Sequence, residues 1–343
     1  MSFAEELYEI YRDRPGNALI SPYSIAMALH MAREGAKGAT LEQMDEVLGL
    51  RPEFIDSEKL AVANAIWLRC QIKEDWKDII THEYHAETRD IRGLSSPERV
   101  INAWANENTK GKIPTILNEG QLTDDDRIVI TNAIYFKDLW LRQFKERNTK
   151  REPFFVSPVK TVDVDLMHIR EDFLYGETED LQVLEMFYEN RDISMVVLLP
   201  KTKAGKVKSI DYKCKRPRRR EVLVYLPKLL MRKTYSLKKM LIGMGIKIAF
   251  SDIADFSGMT TDTETGGVKI GDVIHKTFVD VNEEGTEAAA VTGVTMAVLS
   301  SMMPPPVIPA TFRVDHPYVF LLKHVPTNTI LFIGKVDNPL GVA

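Results

Sequence analysis

HKTFVDVNEEGTEAAAVTGVTMAVL, residues 275–299, is the stretch whose reading decides the fold. It opens with residues of strand character. An acidic turn and Gly285 follow, then an uncharged run of small residues: Ala288, Ala289, Ala290, Val291, Thr292, Gly293, Val294 and Thr295. Side chains this small neither anchor a core nor build a strongly amphipathic helix. Thr286, Ala288, Ala290, Thr292, Val294 and Met296 alternate, so in extended form they share one face. None of the six is charged, so that face is fit for burial. Such a segment can slide between two existing strands at little steric cost.

The neighbouring sequence supplies strands for it to join. LAVANAIWL (60–68), RIVITNAIYFK (127–137), ISMVVLLP (193–200) and EVLVYLPKL (221–229) are rich in β-branched and aromatic residues. Nearly everything after residue 268 has the same texture, ending in HPYVFLLKHV (316–325) and TILFIGKV (329–336). The first fifty residues read instead as helices. Phe3, Leu7, Ile10 and Tyr11 recur at helical spacing, and RPGN (14–17) breaks the pattern. Ser21 before Pro22 reads as a cap with proline in the first turn. Gly35 and Gly38 are expected to end that helix, and Thr40 to open the next. ERVINAWANENTKGKIPTIL (98–117) reads as a helix stopped at Gly111, and YSLKKMLIGMGI (235–246) as a short one. No internal repeat or low-complexity linker divides the chain, so one α+β domain, 1–343, is expected.

Composition excludes several functions. With 44% hydrophobic and 27% charged residues and a net charge of −4, the chain has no general polyanion-binding character. Its two cysteines, Cys70 and Cys214, cannot form a disulfide framework. No CxxC, HExxH or calcium-loop pattern occurs, and no metal or cofactor is expected. His82 and His85 stand three apart in HEYH, but in a polar segment that reads as surface. The N-terminus lacks a basic start followed by an apolar run, and stretches such as Ile193–Leu199 are too short to span a bilayer.

The 283–290 stretch, Glu283, Glu284, Gly285, Thr286, Glu287, Ala288, Ala289 and Ala290, closely resembles the reactive-loop hinge of the serpin family. The resemblance continues in order through NALISPYSIAMAL (17–29), INAWANENTKGKI (101–113), TNAIYFKDLW (131–140), IADFSGM (253–259), FRVDHPYVFLL (312–322) and TILFIGKVDNP (329–339). It implies a serpin fold: a large central mixed sheet, two smaller sheets, eight or nine helices and an exposed C-terminal reactive loop, here about 283–311. It implies a suicide inhibitor rather than an enzyme. A serine protease cleaves the loop, and the freed hinge enters the central sheet while the acyl-enzyme is still attached; loop insertion of this kind is the family's established device. A covalent acyl complex with the protease, a monomeric resting form and polymerisation by insertion into a neighbour all follow from the resemblance. The family role favours an extracellular site, and a cytoplasmic one is the alternative.

By family spacing from the hinge glycine, the cleaved bond is expected between Leu299 and Ser300; Leu299 stands fourteen residues after Gly285. Met302 and Met303 are alternative bait residues, because SSMMPPPVIPATF (300–312) is longer than usual and a count back from Pro317 shifts the bond. Leu299 suits chymotrypsin-, cathepsin G- or elastase-like enzymes. No Lys or Arg occurs in 285–312, which excludes a trypsin-like target. The resemblance also places Ser21, Ser24, Asn132 and His275 in a polar cluster where the sheet opens, with Trp140 at its top. Alternatives are a non-inhibitory serpin serving as chaperone or carrier, and an inhibitor of cysteine proteases.

Two segments are abbreviated. Only about ten residues separate DEVLGL from LAVANAIWL, which counts against heparin activation at the family's usual surface. The segment KTKAGKVKSIDYKCKRPRRR (201–220) holds ten Lys and Arg against Asp211 alone. Its Lys213, Lys215, Arg216, Arg218, Arg219 and Arg220 are candidates for binding heparin, another glycosaminoglycan or another polyanion, with a solvated basic loop as the plain alternative.

Overall fold

A computed structural model describes residues 1–123, 125–212, 217–261, 268–286 and 308–341. Helix α1 (Phe3–Arg12) begins in a capping box, Ser2 bonding the Glu5 amide and Glu5 reaching back. RPGN then turns the chain with Gly16 at φ 84°. Strand β1 (Ala18–Ile20) leads into α2 (Pro22–Arg33), capped by Ser21 with Pro22 in its first turn. Nearly every residue of α2 is buried, so it is a core helix and not an amphipathic one. Gly38 does not end α2. It begins α3 (Gly38–Leu48) at φ 50°, a left-handed conformation that suits glycine. Gly35 is demanded by packing, since an added Cβ would lie 2.5 Å from Met259 Cβ.

Next come β2 (Leu60–Leu68), α4 (Glu74–Tyr84), β3 (Glu87–Asp90), α5 (Pro97–Asn108), β4 (Ile128–Phe136) and β5 (Asp138–Leu139). The expected stop after α5 is present: Lys110 and Gly111 both take positive φ. The chain continues through β6 (Lys150–Ser157), β7 (Lys160–Glu177), β8 (Leu181–Phe187), β9 (Ile193–Pro200), β10 (Arg218–Pro227), β11 (Leu229–Ser236), α6 (Lys238–Met244) and β12 (Ile270–Val281). Strands β13 (Gly285–Thr286), β14 (Ala310–Arg313), β15 (Tyr318–His324) and β16 (Thr329–Val336) complete it.

Among the described residues the main sheet has seven strands, with the path β3-β2-β4-β12-β13-β5 and β11 paired to β12. Its centre is a parallel pair: β4 and β12 run in register from Ile128↔Ile270 to Tyr135↔Phe278. Every residue of β4 is buried because both of its faces are covered. On one face Trp67 meets Trp104 of α5 edge-on at 5.6 Å, amid Val129, Ile274 and Phe278. The other face joins the principal core around α2.

Among the described residues the other strands pair into one nine-stranded network, whose two halves stand where the two smaller sheets were expected. The cause is β7, 18 residues long. It pairs with β10 along Leu166–Tyr175 and with β8 along Leu174–Glu177, so one strand serves both halves. Among the described residues there are six α-helices, against the eight or nine implied by resemblance. Residues 49–59 and 201–212 hold no helix, in keeping with the two short segments read in the sequence. No helix among the described residues is long and apolar enough to cross a membrane.

Candidate functional site

The hinge sits at the upper end of the β4–β12 seam. Its root is not exposed: Gly285 and Thr286 are already strand-paired, Thr286 to Val281 of β12 on one side and both to Leu139 and Asp138 of β5 on the other. Below them β4 and β12 are bonded directly to each other, with no strand between. Gly285 is needed for close approach, since a Cβ there would lie 2.1 Å from the Asp138 carbonyl oxygen. The Thr286 hydroxyl is buried and lies 2.7 Å from the Tyr188 hydroxyl. The ring of Tyr188 stacks on Trp140 at 4.3 Å, and burial raises its phenol pKa far above the ordinary range. Trp140 holds the turn before the hinge twice, its Nε1 donating to Asn282 O at 3.0 Å and its amide to Glu284 O at 2.8 Å.

Two carboxyl groups flank this turn in opposite condition. Burial pushes the Glu283 pKa up, but hydrogen bonds from Lys228 and Thr149 outweigh burial and hold it below the ordinary carboxylate value. At Asp138 the balance is reversed, since the Leu139 amide and Lys59 favour the ionised form but do not outweigh burial. Its Oδ1 accepts only the adjacent Leu139 amide and lies 3.7 Å from Lys59 Nζ, while its buried Oδ2 has no hydrogen-bond partner. Burial therefore raises its pKa.

Ser21, Ser24, Asn132 and His275 are brought together lower in the seam, behind the sheet. The Ser21 amide donates to His275 Nε2 at 3.0 Å, which leaves the ring proton on Nδ1 to donate to Asn132 Oδ1 at 2.5 Å. Ser24 Oγ donates to the same oxygen at 2.7 Å, and Ser21 Oγ donates to Leu331 O. The Asn132 amide donates to Asn64 Oδ1 and Ser24 O. Complete burial lowers the His275 pKa to about 3, so the ring is neutral. Trp140 is apart from this cluster, at the hinge.

Asn64 and Tyr188 belong to these two groups and were not singled out in the sequence. Asn64 had a signal: a lone amide in the apolar strand LAVANAIWL needs a buried partner. Tyr188 and Asp138 had none, since their neighbours come from distant segments. His85 caps α4 in the left-handed conformation, its ring tilted against Phe54 at 4.5 Å, while His82 lies within the helix. No group able to hold a metal ion occurs among the described residues.

Leu299, Ser300, Met302, Met303, Glu287, Ala288, Ala289 and Ala290 lie outside the described residues, as do Lys213, Lys215 and Arg216. Arg219 is 3.7 Å from Asp172, and Arg220 lies over Tyr175 and donates to Ile308 O. Arg218 is exposed. Lys201, Lys206 and Lys208 pair with Glu177, Asp13 and Asp180. Four of the seven described Lys and Arg in the basic segment are thus matched to carboxylates.

Residues 1–339 match the family model described as Serpin (serine protease inhibitor). An uncharacterized serpin-like protein of Thermococcus kodakarensis is 37% identical, over 98% of this chain and 84% of that protein. Leukocyte elastase inhibitor of Bos taurus is 35% identical, over 94% of this chain and 93% of that protein. Among solved structures, the thermophilic serpin tengpin in its native state matches with a TM-score of 0.86 at 28% identity, covering 98% of this chain and 92% of that one.

Proposed function

Because the chain belongs to the serpin family, we propose that it is an inhibitory member that traps serine proteases of apolar primary specificity by inserting its hinge between β4 and β12. One observation carries the reading. The sheet is closed along its centre, yet Gly285 and Thr286 stand in strand pairing at the head of the same seam. The small alternating residues that follow Thr286 in the sequence are those an entering strand needs.

In this reading the protease supplies the chemistry. Its serine oxygen attacks the Leu299 carbonyl, the amine of Ser300 leaves, and an ester links protease to inhibitor. The chain's own residues then act. Entry of a strand separates β4 from β12 and breaks the hydrogen bond from His275 to Asn132, which crosses the seam. About ten inserted residues add ladder bonds worth roughly 0.5–1.5 kcal/mol each, comparable to the stability of a whole domain. The uncleaved form is accordingly a kinetic trap whose persistence is a rate.

The whole chain, 1–343, is read as one working unit. Similarity to an elastase inhibitor supports the apolar specificity, as does the absence of Lys and Arg from 285–312. Polyanion binding by 201–220 is the weaker proposal, since most of its described cations are already paired; elution from heparin at low salt would remove it.

The test is incubation with chymotrypsin, elastase and cathepsin G, followed by denaturing gels and mass spectrometry of the released peptide. A band at the summed mass with cleavage after Leu299 is expected. Clean cleavage without a complex would point to a non-inhibitory member.

A further inference from the structure

The buried carboxyl beside the hinge has no function in the trapping reaction as described. Asp138 is paired directly opposite Thr286. Directly opposed residues of an antiparallel pair present their side chains to the same face, about 4.5–5.5 Å apart at Cβ. The carboxyl therefore shares with Thr286 the side of the sheet where Tyr188 lies. Its side chain is wholly buried. The backbone of Gly285 closes over Asp138 and Leu139 too tightly for a Cβ to intervene.

The groups acting on this carboxyl come from several elements. Lys59, just before β2, attracts it at 3.7 Å, and Glu189, after β8, repels it. Tyr188 stands beside it as a neutral phenol. On the hinge itself, Glu284 carries the one other carboxylate oxygen among the described residues that is buried without a hydrogen-bond partner. Lys59 is partly exposed and beyond hydrogen-bond reach, so it does not replace the water that Asp138 has lost.

We propose that Asp138 is a proton-operated catch on the hinge: protonated, it lets Gly285 and Thr286 stay docked in the sheet, and ionised, it drives them out and presents the loop to a protease. This rests on the inhibitory reading only for its consequence, since docking itself needs no protease. The direction follows from burial. A carboxyl that is desolvated when the hinge is docked holds its proton more tightly in that state. Docking is fully favoured below the ordinary aspartate range and weakens as pH rises toward the higher docked-state value, by up to about tenfold per pH unit.

Trp140 gives a direct readout, because its ring and amide bond Asn282 and Glu284. Its emission, taken as the difference between wild type and Trp140→Phe, should change in a one-proton step as pH rises. The rate of protease trapping, corrected for the protease's own pH profile, should climb over the same window. Asp138→Asn should flatten both curves with the hinge docked throughout. Lys59→Met should move the midpoint upward, and Glu284→Gln should leave the midpoint in place. Identical titrations in wild type and Asp138→Asn, a midpoint that follows Glu284, or one unmoved by Lys59→Met would overturn the catch. If Asp138→Asn fails to fold, the Lys59→Met shift decides. A Trp140 titration that depends on Asp138, with no protease trapped at any pH, would leave the catch standing and sink the inhibitory reading.

Discussion

At the middle of the β4–β12 seam, Asn132 has its oxygen bonded by His275 and Ser24 and its amide bonded to Asn64 and Ser24. At the mouth, Asp138 leaves one buried oxygen without a hydrogen bond, beside the strand-paired hinge residues Gly285 and Thr286. Both places hold polar groups away from water. One is satisfied and the other is not, and that difference marks where the sheet is held and where it gives. A complete buried network resists parting because each broken bond leaves a stranded partner. An incomplete one has less to lose. An insertion that starts at the mouth and proceeds toward the middle thus meets its largest resistance late.

The largest effect is expected from Thr286→Arg. A guanidinium cannot enter the space beside Tyr188 without several kcal/mol of uncompensated burial, so complexes surviving SDS should fall at least about tenfold while cleavage continues. An unchanged yield would show that the mouth is as adaptable as an exposed loop. The middle should dominate acid stability. His275 is held near pKa 3, below its ordinary 6.5, so the unfolded chain binds more protons between those values. Stability is then fully present above about pH 6.5 and falls as pH drops through that window, a slope that His275→Gln should remove from urea midpoints. Acid would loosen the middle while tightening the mouth, and a single common pH response would break the comparison. Asn132→Ala should cost about 2–3 kcal/mol, because His275 and Asn64 lose partners in a dry site. Trp140→Phe should cost about 1 kcal/mol, its lost hydrogen bond to Asn282, with a small drop in thermal midpoint.

How much of this was legible in the sequence depended on how far apart the partners lie. Local chemistry read well: Ser21 with Pro22 caps α2, Gly111 stops the chain after α5, and RIVITNAIYFK is the buried centre of the main sheet. Gly38 misled, because a left-handed glycine serves either end of a helix. Helix α4 was overlooked: Trp76, Ile80 and Tyr84 are its buried stripe, too narrow to stand out in a polar segment. The four residues of the middle cluster could be named because family motifs carry them. Asp138 could not. It meets Thr286 only through a strand pairing between segments far apart in the chain, and TNAIYFKDLW offers no local reason to bury an acid there.

The two attachments of the reactive segment also differ as mechanical joints. Among the described residues, two of β13 fasten the chain on the hinge side; on the other side β14 holds four residues in parallel register, Ala310–Arg313 against Val222–Tyr225 of β10. Strand β10 is laced along ten residues to β7, the strand that runs through both halves of the nine-stranded sheet. A tug on the segment between the joints is therefore shared by a weak clip and a braced beam. In the proposed insertion it is the hinge end that travels, while β14 keeps the other end moored to β10.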